Sequence, residues 1–211
     1  MPWRRVRSYL MAASYDLLLR NTERRCLRGW RQEILTQARG DVLEIGAGTG
    51  LNLPFYSAAV EQLYLAEPDQ HMRQKLAAKV NRLTDKRTRI ATWRAEAIDL
   101  PDASCDTIVS TLVLCSISSL ETGLDEIKRL LRPGGRLLFL EHIISDHPPT
   151  RALQRRLEPL WSLCAGDCRL TRDTAKAISA AGLHIEQLTE ARLLGAPGFV
   201  NRTVRGLASK S

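Results

Sequence analysis

The stretch Asp41-Val42-Leu43-Glu44-Ile45-Gly46-Ala47-Gly48-Thr49-Gly50 decides the fold class of this 211-residue chain. A short apolar run leads directly into glycines at every second position, which is typical of a strand covered on both faces in a parallel sheet. Glycine permits a positive φ in the turn and lets a ligand approach the backbone closely. Because ligands of such sheets bind beside the carboxyl ends of the strands, the turn predicts a nucleotide-type site there.

The spacing of these glycines disfavours a dinucleotide ligand. A dinucleotide-binding turn has the pattern Gly-x-Gly-x-x-Gly, whereas here Gly50 comes one position early and Leu51 stands where the last glycine belongs. Glu44 would repel a phosphate but could bond to an amino group, directly or through water. These residues favour S-adenosylmethionine over NAD as the cofactor.

A second acidic residue stands at the distance expected for a ribose ligand. Residues 63–67 predict the second strand, which ends in Glu67 about 20 residues beyond the glycine turn. We interpret Glu67 as a ligand of ribose hydroxyls. The alternative, a cap of the next helix, is less favoured because Asp69 already provides that cap.

The remaining chain alternates strand patterns with helix patterns. Further strands are predicted over residues 90–94, 106–110, 136–141, 184–189 and 199–208, and helices over 70–80, 120–131 and 171–181, the last capped by Thr171. The alternation predicts an α/β fold with a parallel, doubly wound sheet. We expect one domain over residues 1–211, with a leading basic helical segment (1–40), a cofactor-binding core (41–144), a lid insertion (145–173) and a final helix with two strands (174–211).

In its motifs the chain resembles the class I S-adenosylmethionine-dependent methyltransferases from about Asp41 through Glu141. The motifs are the glycine turn, Glu67, the 96–101 stretch and the 131–135 Leu-Arg-Pro-Gly-Gly turn. The resemblance implies a Rossmann-like, mostly parallel seven-stranded sheet with helices on both faces and an antiparallel seventh strand.

The same resemblance implies roles for individual residues. Glycines of the turn would approach the methionine part, Glu67 would bind the ribose, Glu96 would accept from the adenine amino group, and the Ala97 amide would donate to the ring. The family more often has Asp at the Glu96 position. The expected cofactor-binding residues are Glu44, Gly46, Ala47, Gly48, Thr49, Gly50, Asn52, Glu67, Pro68, Met72, Glu96, Ala97 and Thr111.

The carboxyl-terminal third resembles a narrower group, the methyltransferase-like alkyl-thiol S-methyltransferases. Its residues 141–142, 158–161 and 166–172, together with 111–116, carry the likeness. The group implies methylation of a small-molecule acceptor, for which a thiol is the best guess. O- or N-methylation of a small metabolite or lipid is the alternative within enzymes, and a basic module that binds nucleic acid or membrane without catalysis is the alternative outside them.

Several side chains could serve the acceptor. His142 follows the fifth strand and is the best candidate base, because imidazole changes charge near neutral pH; a structural role is the alternative. Asp16, Glu141 and Asp167 are weaker options. Leu157, Trp161 and Leu163 predict an apolar face of the lid, or else ordinary core. The expected substrate-binding residues are Tyr15, Leu114, Cys115, His142 and Trp161.

Composition limits the remaining possibilities. The net charge is +8, and many of the arginines lie in the leading segment. This segment is either a basic amphipathic helix on a membrane surface or, as we favour, a helix over the cofactor site whose arginines form its solvated face. These arginines are Arg4, Arg5, Arg7, Arg20, Arg24, Arg25, Arg28 and Arg31. No run reaches the roughly 18 apolar residues of a membrane-spanning helix, and no secretion signal is present, so we expect a cytoplasmic protein. The residues 111–115 lack the motif of enzymes that methylate base amino groups, so no nucleic acid partner is expected. The five cysteines predict free thiols and no metal site.

Overall fold

The computed structural model describes residues 2–83 and 86–210. The strands are β1 (Gly40–Ile45), β2 (Val60–Ala66), β3 (Thr88–Ala91), β4 (Cys105–Thr111), β5 (Leu131–His142), β6 (His184–Arg192) and β7 (Arg202–Ser209). The helices are α1 (Pro2–Thr22), α2 (Arg28–Leu35), α3 (Gln70–Leu83), α4 (Leu120–Leu130), α5 (Pro148–Cys164) and α6 (Thr174–Ala180). A π-helical turn, Glu23–Leu27, joins α1 to α2, and a short 3₁₀ turn, Leu53–Phe55, follows the glycine turn.

All seven strands form one sheet in the order β3-β2-β1-β4-β5-β7-β6. Strands β1 to β5 pair in parallel, whereas β7 lies antiparallel between β5 and β6. The strand order reverses between β1 and β4, and ligands of open α/β sheets bind beside such a reversal. The predicted doubly wound sheet with an antiparallel seventh strand is confirmed.

Alternate residues of the central strands feed two separate hydrophobic cores. Leu43 and Ile45 of β1 pack with the helices α4 and α6 on one face of the sheet. Val42, which precedes Leu43, packs with α2 and α3 on the other face. This two-sided burial explains why the strand is apolar at nearly every position, since both of its faces lie under helices.

Several predicted strand boundaries differ from the structure, among them those of β3, β5 and β7. Strand β3 ends at Ala91 instead of continuing to residue 94, because Ala91 pairs with the last residue of β2 and no partner strand extends further. Strand β5 begins at Leu131, which already pairs with Cys105. Strand β7 begins at Arg202 and not at residue 199, because the Val200 amide closes a turn onto the Pro197 carbonyl.

The predicted capping role of Thr171 is wrong. Asp173 caps α6, with its carboxylate accepting from the Lys176 amide at 3.2 Å. The Thr171 hydroxyl instead donates to Glu158 Oε2 at 2.6 Å, and the Thr171 amide donates to the same oxygen at 2.8 Å. Residues 171 and 172 therefore belong to the loop that returns from α5.

The leading segment forms a cover over the sheet. Helix α1 contacts α3, and α2 packs against β5 and β7. Among the described residues, no helix combines the length and the apolar character that crossing a membrane requires.

Candidate active site

The glycine turn after β1 has the backbone that the sequence predicts. Gly46, Gly48 and Gly50 have φ values of 59°, 56° and 81°, which side-chain-bearing residues rarely adopt. A Cβ on Gly46 would collide with Val113 at 2.6 Å, and one on Gly50 would collide with Leu53 and Leu76 at 2.8 Å. A Cβ on Gly48 would meet nothing closer than 3.9 Å. Gly48 is therefore the glycine whose open face a ligand can approach.

A buried polar network forms the floor beside this turn. The Asn52 amide nitrogen donates to Glu44 Oε1 at 2.9 Å and to Thr111 Oγ1 at 3.0 Å, and the Tyr56 hydroxyl donates to Glu44 Oε2 at 2.7 Å. Burial raises the pKa of Glu44 to about 7, against the lowering effect of these hydrogen bonds. Glu44 thus holds Asn52 and Tyr56 in place through both of its oxygens, a structural task that the sequence does not predict.

Arg31 completes the network, and its position contradicts the expectation of a solvated arginine. Its side chain is 3% exposed, and its Nη1 donates to Asn52 Oδ1 at 2.8 Å and to Thr111 Oγ1 at 2.9 Å. Its Nε donates to Glu23 at 3.0 Å. The result is a buried cation that borders the void beside the glycine turn. Carboxylates are the natural partners of such a guanidinium.

Glu67 lies beside the glycine turn, and its contact with a ribose stays a prediction. Its carboxylate is buried and accepts from the Gly48 amide at 2.7 Å and from the Asp69 amide at 2.8 Å. Burial raises the pKa of Glu67, although these amides work in the opposite direction. Asp69 caps α3 by accepting from the amides of His71 and Met72, as the sequence predicts.

Helix α1 covers this cleft. The Thr49 hydroxyl donates to Asp16 at 2.5 Å, and the Ser8 hydroxyl bonds to Asp69. Tyr15 borders the void, and burial raises its pKa to about 12, although the charge of Arg31 works in the opposite direction. Tyr15 therefore borders the same void as the glycine turn and Thr111. The void under the helix has a volume of about 20 Å³, far below the roughly 300–1,000 Å³ of ordinary ligand sites, so the cleft must open to admit a cofactor.

The remaining expected cofactor residues divide into two groups. Ala47 and Thr49 border the void with Gly46, Gly48 and Thr111. Pro68 is exposed and Met72 lies in the first turn of α3, and neither borders the void.

The adenine side departs from the expected arrangement. Glu96 Oε1 accepts from the Ser118 amide at 2.7 Å and from the Ser119 amide at 3.2 Å, so this carboxylate holds the start of α4. The Ala97 amide donates to the Arg94 carbonyl at 3.0 Å. The chain turns back at residues 94–97, and the expected contact of the Ala97 amide with the adenine ring stays a prediction. The adenine contact of Glu96 stays a prediction.

Glu141 organises the acceptor-side loop that follows β4. Its carboxylate accepts from the Ser110 hydroxyl at 2.6 Å and from the amides of Val113, Leu114 and Cys115 at 3.1–3.2 Å. Val113 in turn touches the glycine turn at Gly46. The loop that carries the candidate acceptor residues Leu114 and Cys115 is thereby fixed against the cofactor side of the cleft, and Glu141 is fully occupied in holding it.

His142 stands next to this carboxylate at the carboxyl end of β5. Its side chain is 2% exposed, and neither ring nitrogen makes a geometrically acceptable hydrogen bond within the described residues. Trp161 Nε1 of α5 is buried in the same unpartnered state. Trp161 packs edge-on against Phe199 at 5.2 Å between ring centroids. Buried donors that lack a partner cost free energy, which makes these nitrogens candidates for ligand contacts.

The other residues expected on the acceptor side lie in different surroundings. Leu157 is half-buried, but Leu163 is 57% exposed and faces solvent, so its expected place in an apolar face of the lid is wrong. Asp167 pairs with Arg7 at the surface, which removes it as a candidate base. Helix α5 ends at Cys164, so Cys164 and Cys168 do not share a helical face. Within residues 2–83 and 86–210, no group of three or more histidine, cysteine or acidic residues could hold a metal ion.

The cleft fits the chemistry of S-adenosylmethionine. The molecule carries a carboxylate, which the buried Arg31 cation suits, and a ribose, which suits the acid Glu67. The open face of Gly48 leaves room for the close approach that the methionine chain needs.

Comparison with known proteins agrees with this geometry. Residues 43–139 match a family model described as a methyltransferase domain. Thiol S-methyltransferase TMT1B of Rattus norvegicus is 37% identical over 70% of this chain and 61% of its own length. Thiol S-methyltransferase TMT1A of Homo sapiens is 33% identical over 66% of this chain and 58% of its own length. The chain thus spans about three fifths of these relatives.

Solved structures agree on the fold. The N-methyltransferase NodS of Bradyrhizobium japonicum, solved with S-adenosylhomocysteine, superimposes with a TM-score of 0.66 at 16% identity, over 87% of this chain and 86% of that one. The family model and the named relatives show that the chain belongs to the class I S-adenosylmethionine-dependent methyltransferases.

Proposed function

We propose that this protein transfers the methyl group of S-adenosylmethionine to a small-molecule thiol and releases a methyl thioether. The observation that carries the proposal is His142, a buried imidazole with two unpartnered nitrogens beside the loop that touches the glycine turn. A group of this kind can accept a proton from an acceptor held between that loop and α5.

The cofactor would be held by residues at both ends of the glycine turn. Arg31 would bind the methionine carboxylate, Glu67 the ribose hydroxyls, and Gly48 would offer its open face to the chain between them. When bound, the cofactor supplies a sulfonium-activated methyl group, so the protein need not activate the donor. The task of the chain is to hold the acceptor sulfur in line with that methyl and to keep water out.

His142 would remove the acceptor proton. A free thiol has a pKa of about 8.5, so only a small fraction is ionised at neutral pH, and the thiolate is the nucleophile. An imidazole nearby can accept the proton as the sulfur attacks. The apolar Leu114 and the half-buried Trp161 would exclude water from the same space.

A thiol acceptor is favoured over oxygen and nitrogen acceptors for two reasons. Two relatives at 33–37% identity are named thiol S-methyltransferases. A hydroxyl acceptor would need a firmer base than a lone imidazole, because its own pKa is higher. O- or N-methylation of a small metabolite or lipid is the competing activity, and a relative from Cereibacter sphaeroides is named phosphatidylethanolamine N-methyltransferase.

The test is a panel of alkyl thiols, phenols, amines and carboxylates incubated with methyl-labelled cofactor. We expect label in thiols above all other classes. The His142→Ala variant should lose most of this activity at neutral pH, whereas His147→Ala, which removes an exposed histidine five residues away, should keep it. Label that enters only amines, only phenols or only RNA would overturn the thiol assignment.

We further propose that the protein works in the cytoplasm and touches anionic membranes through α1. This helix exposes apolar side chains next to its arginines, namely Val6, Tyr9, Leu10, Leu17 and Leu18, with 47–69% of each surface accessible. Such a face suits the boundary between headgroups and acyl chains. Co-sedimentation with phosphatidylserine vesicles but not with pure phosphatidylcholine vesicles is the expected result. Equal recovery in both supernatants would refute the contact.

A further inference from the structure

Two cysteines from different loops meet on the acceptor side of the cleft. Cys115 lies in the loop after β4, and Cys168 lies in the loop after α5. The Arg169 amide donates to the Cys115 carbonyl at 2.8 Å. The Arg172 guanidinium donates to the carbonyls of Leu114 and Ile117 at 2.7 and 2.6 Å. These contacts join the two loops next to the thiols and bring the Cys115 and Cys168 positions side by side.

The surroundings of these thiols separate their chemistry. The neighbouring Cys115 lowers the pKa of the Cys168 thiol, and the nearby His142 and Trp161 lower it further. Cys168 and burial both raise the pKa of Cys115. Cys168 therefore ionises first, while Cys115 keeps its proton. A partly exposed thiolate with a second thiol beside it is the arrangement found in cysteines that respond to oxidants.

The other cysteines provide an internal contrast. Cys164 lies in the last turn of α5 and is exposed, so it is more accessible than Cys168. Cys26 and Cys105 are buried. If accessibility alone controlled oxidation, Cys164 would react before Cys168.

We propose that Cys168 and Cys115 form a reversible disulfide that closes the acceptor side of the cleft, so that peroxides switch the enzyme off. The bond would cross the space between the β4 loop and α5 in front of His142. The effect on activity rests on the proposed function, whereas formation of the disulfide does not.

The chemistry balances with one peroxide. The Cys168 thiolate attacks one peroxide oxygen, the O–O bond breaks, and the departing hydroxide takes up a proton to become water. Cys168 is then a sulfenic acid. The Cys115 sulfur loses its proton and attacks the Cys168 sulfur, and the displaced hydroxide leaves as a second water. Two thiols have lost two electrons and one peroxide has gained them.

The first measurement uses the purified full chain without cofactor, titrated with hydrogen peroxide and examined by intact and peptide mass spectrometry. We expect the wild-type protein and the matched control Cys164→Ser to lose two hydrogens and to yield a cross-linked peptide that contains Cys115 and Cys168. Cys115→Ser should stop at a sulfenic acid on Cys168 that dimedone traps. Failure of the cross-link to form, or first oxidation at Cys164, would overturn the proposal.

The second measurement follows methyl transfer before oxidation, after it, and after dithiothreitol. We expect at least a tenfold fall and full recovery in the wild-type protein and in Cys164→Ser, and little peroxide sensitivity in a Cys168→Ser variant whose thermal melting confirms folding. A cross-linked protein with unchanged activity would refute the switch. If no acceptor is methylated before oxidation, the failure lies with the proposed function, and the mass measurement still decides whether the disulfide forms.

Discussion

Replacement of Gly48 by alanine tests the cofactor site most directly, and Gly134 offers a matched control. Both glycines have a positive φ, 56° and 71°, and neither has an atom in the way of a new Cβ closer than 3.9 Å. Alanine in this conformation costs about 1–2 kcal/mol. For a chain of this size that cost corresponds to a fall in melting temperature of roughly 2–8 °C, and we expect it in both variants.

Cofactor affinity should separate the two variants. In Gly48→Ala the new methyl group would occupy the face that the ligand approaches, and forced overpacking costs about 1–3 kcal/mol. That range corresponds to a weakening of binding by roughly 5- to 150-fold. Gly134→Ala lies in the exposed turn before the central part of β5 and should bind like the wild-type protein. Titration calorimetry with S-adenosylhomocysteine measures both. If Gly48→Ala keeps wild-type affinity while it loses stability as Gly134→Ala does, the open face of Gly48 does not receive the ligand.

Three further changes probe the site. His142→Ala should lower the turnover number at neutral pH and lower it less at alkaline pH, where the acceptor thiol ionises unaided. A pH profile of kcat measures this effect. A variant with the wild-type kcat at both pH values would show that His142 takes no part in the reaction. Because the folded-state pKa of Glu44 is raised to about 7 from 4.5, the unfolded chain gives up that proton first, so stability should fall by about 3 kcal/mol as pH rises between these values; thermal melts should show the slope, and Glu44→Gln should flatten it. Arg31→Met leaves Glu23 without its partner and should reduce the free energy of unfolding in urea by about 3 kcal/mol, whereas Arg205→Met, which breaks a more exposed pair with Glu33, should cost under about 1 kcal/mol.

The local sequence sufficed for features that depend on neighbouring residues. The apolar run of β1 and its glycines follow directly from short-range rules, because two-sided burial and positive φ each demand particular residue types. The same holds for Asp69, whose cap needs only the two amides that follow it. Helix α4 was predictable because its buried Leu124, Ile127 and Leu130 recur at helical spacing.

Features that depend on distant parts of the chain escaped prediction. Arg31 was one of eight arginines in a basic segment, and its inward direction depends on the π-helical turn Glu23–Leu27, which rotates the following helix relative to the preceding one. The turn that occupies the Ala97 amide depends on the end of β2. Strand β3 pairs with β2 and ends at the same point, and the chain turns back after it. The meeting of Cys115 with Cys168 depends on the loop after α5, and nothing in the spacing of the two residues signals it.

The position of α1 over the cleft has a consequence for the rate of turnover. The hydrogen bonds from Ser8 to Asp69 and from Thr49 to Asp16 fasten the helix over the void beside the glycine turn. These two hydrogen bonds must therefore break twice in each catalytic cycle, once for S-adenosylhomocysteine to leave and once for S-adenosylmethionine to bind. We expect this exchange of product for cofactor, and not the methyl-transfer step, to limit the rate of turnover.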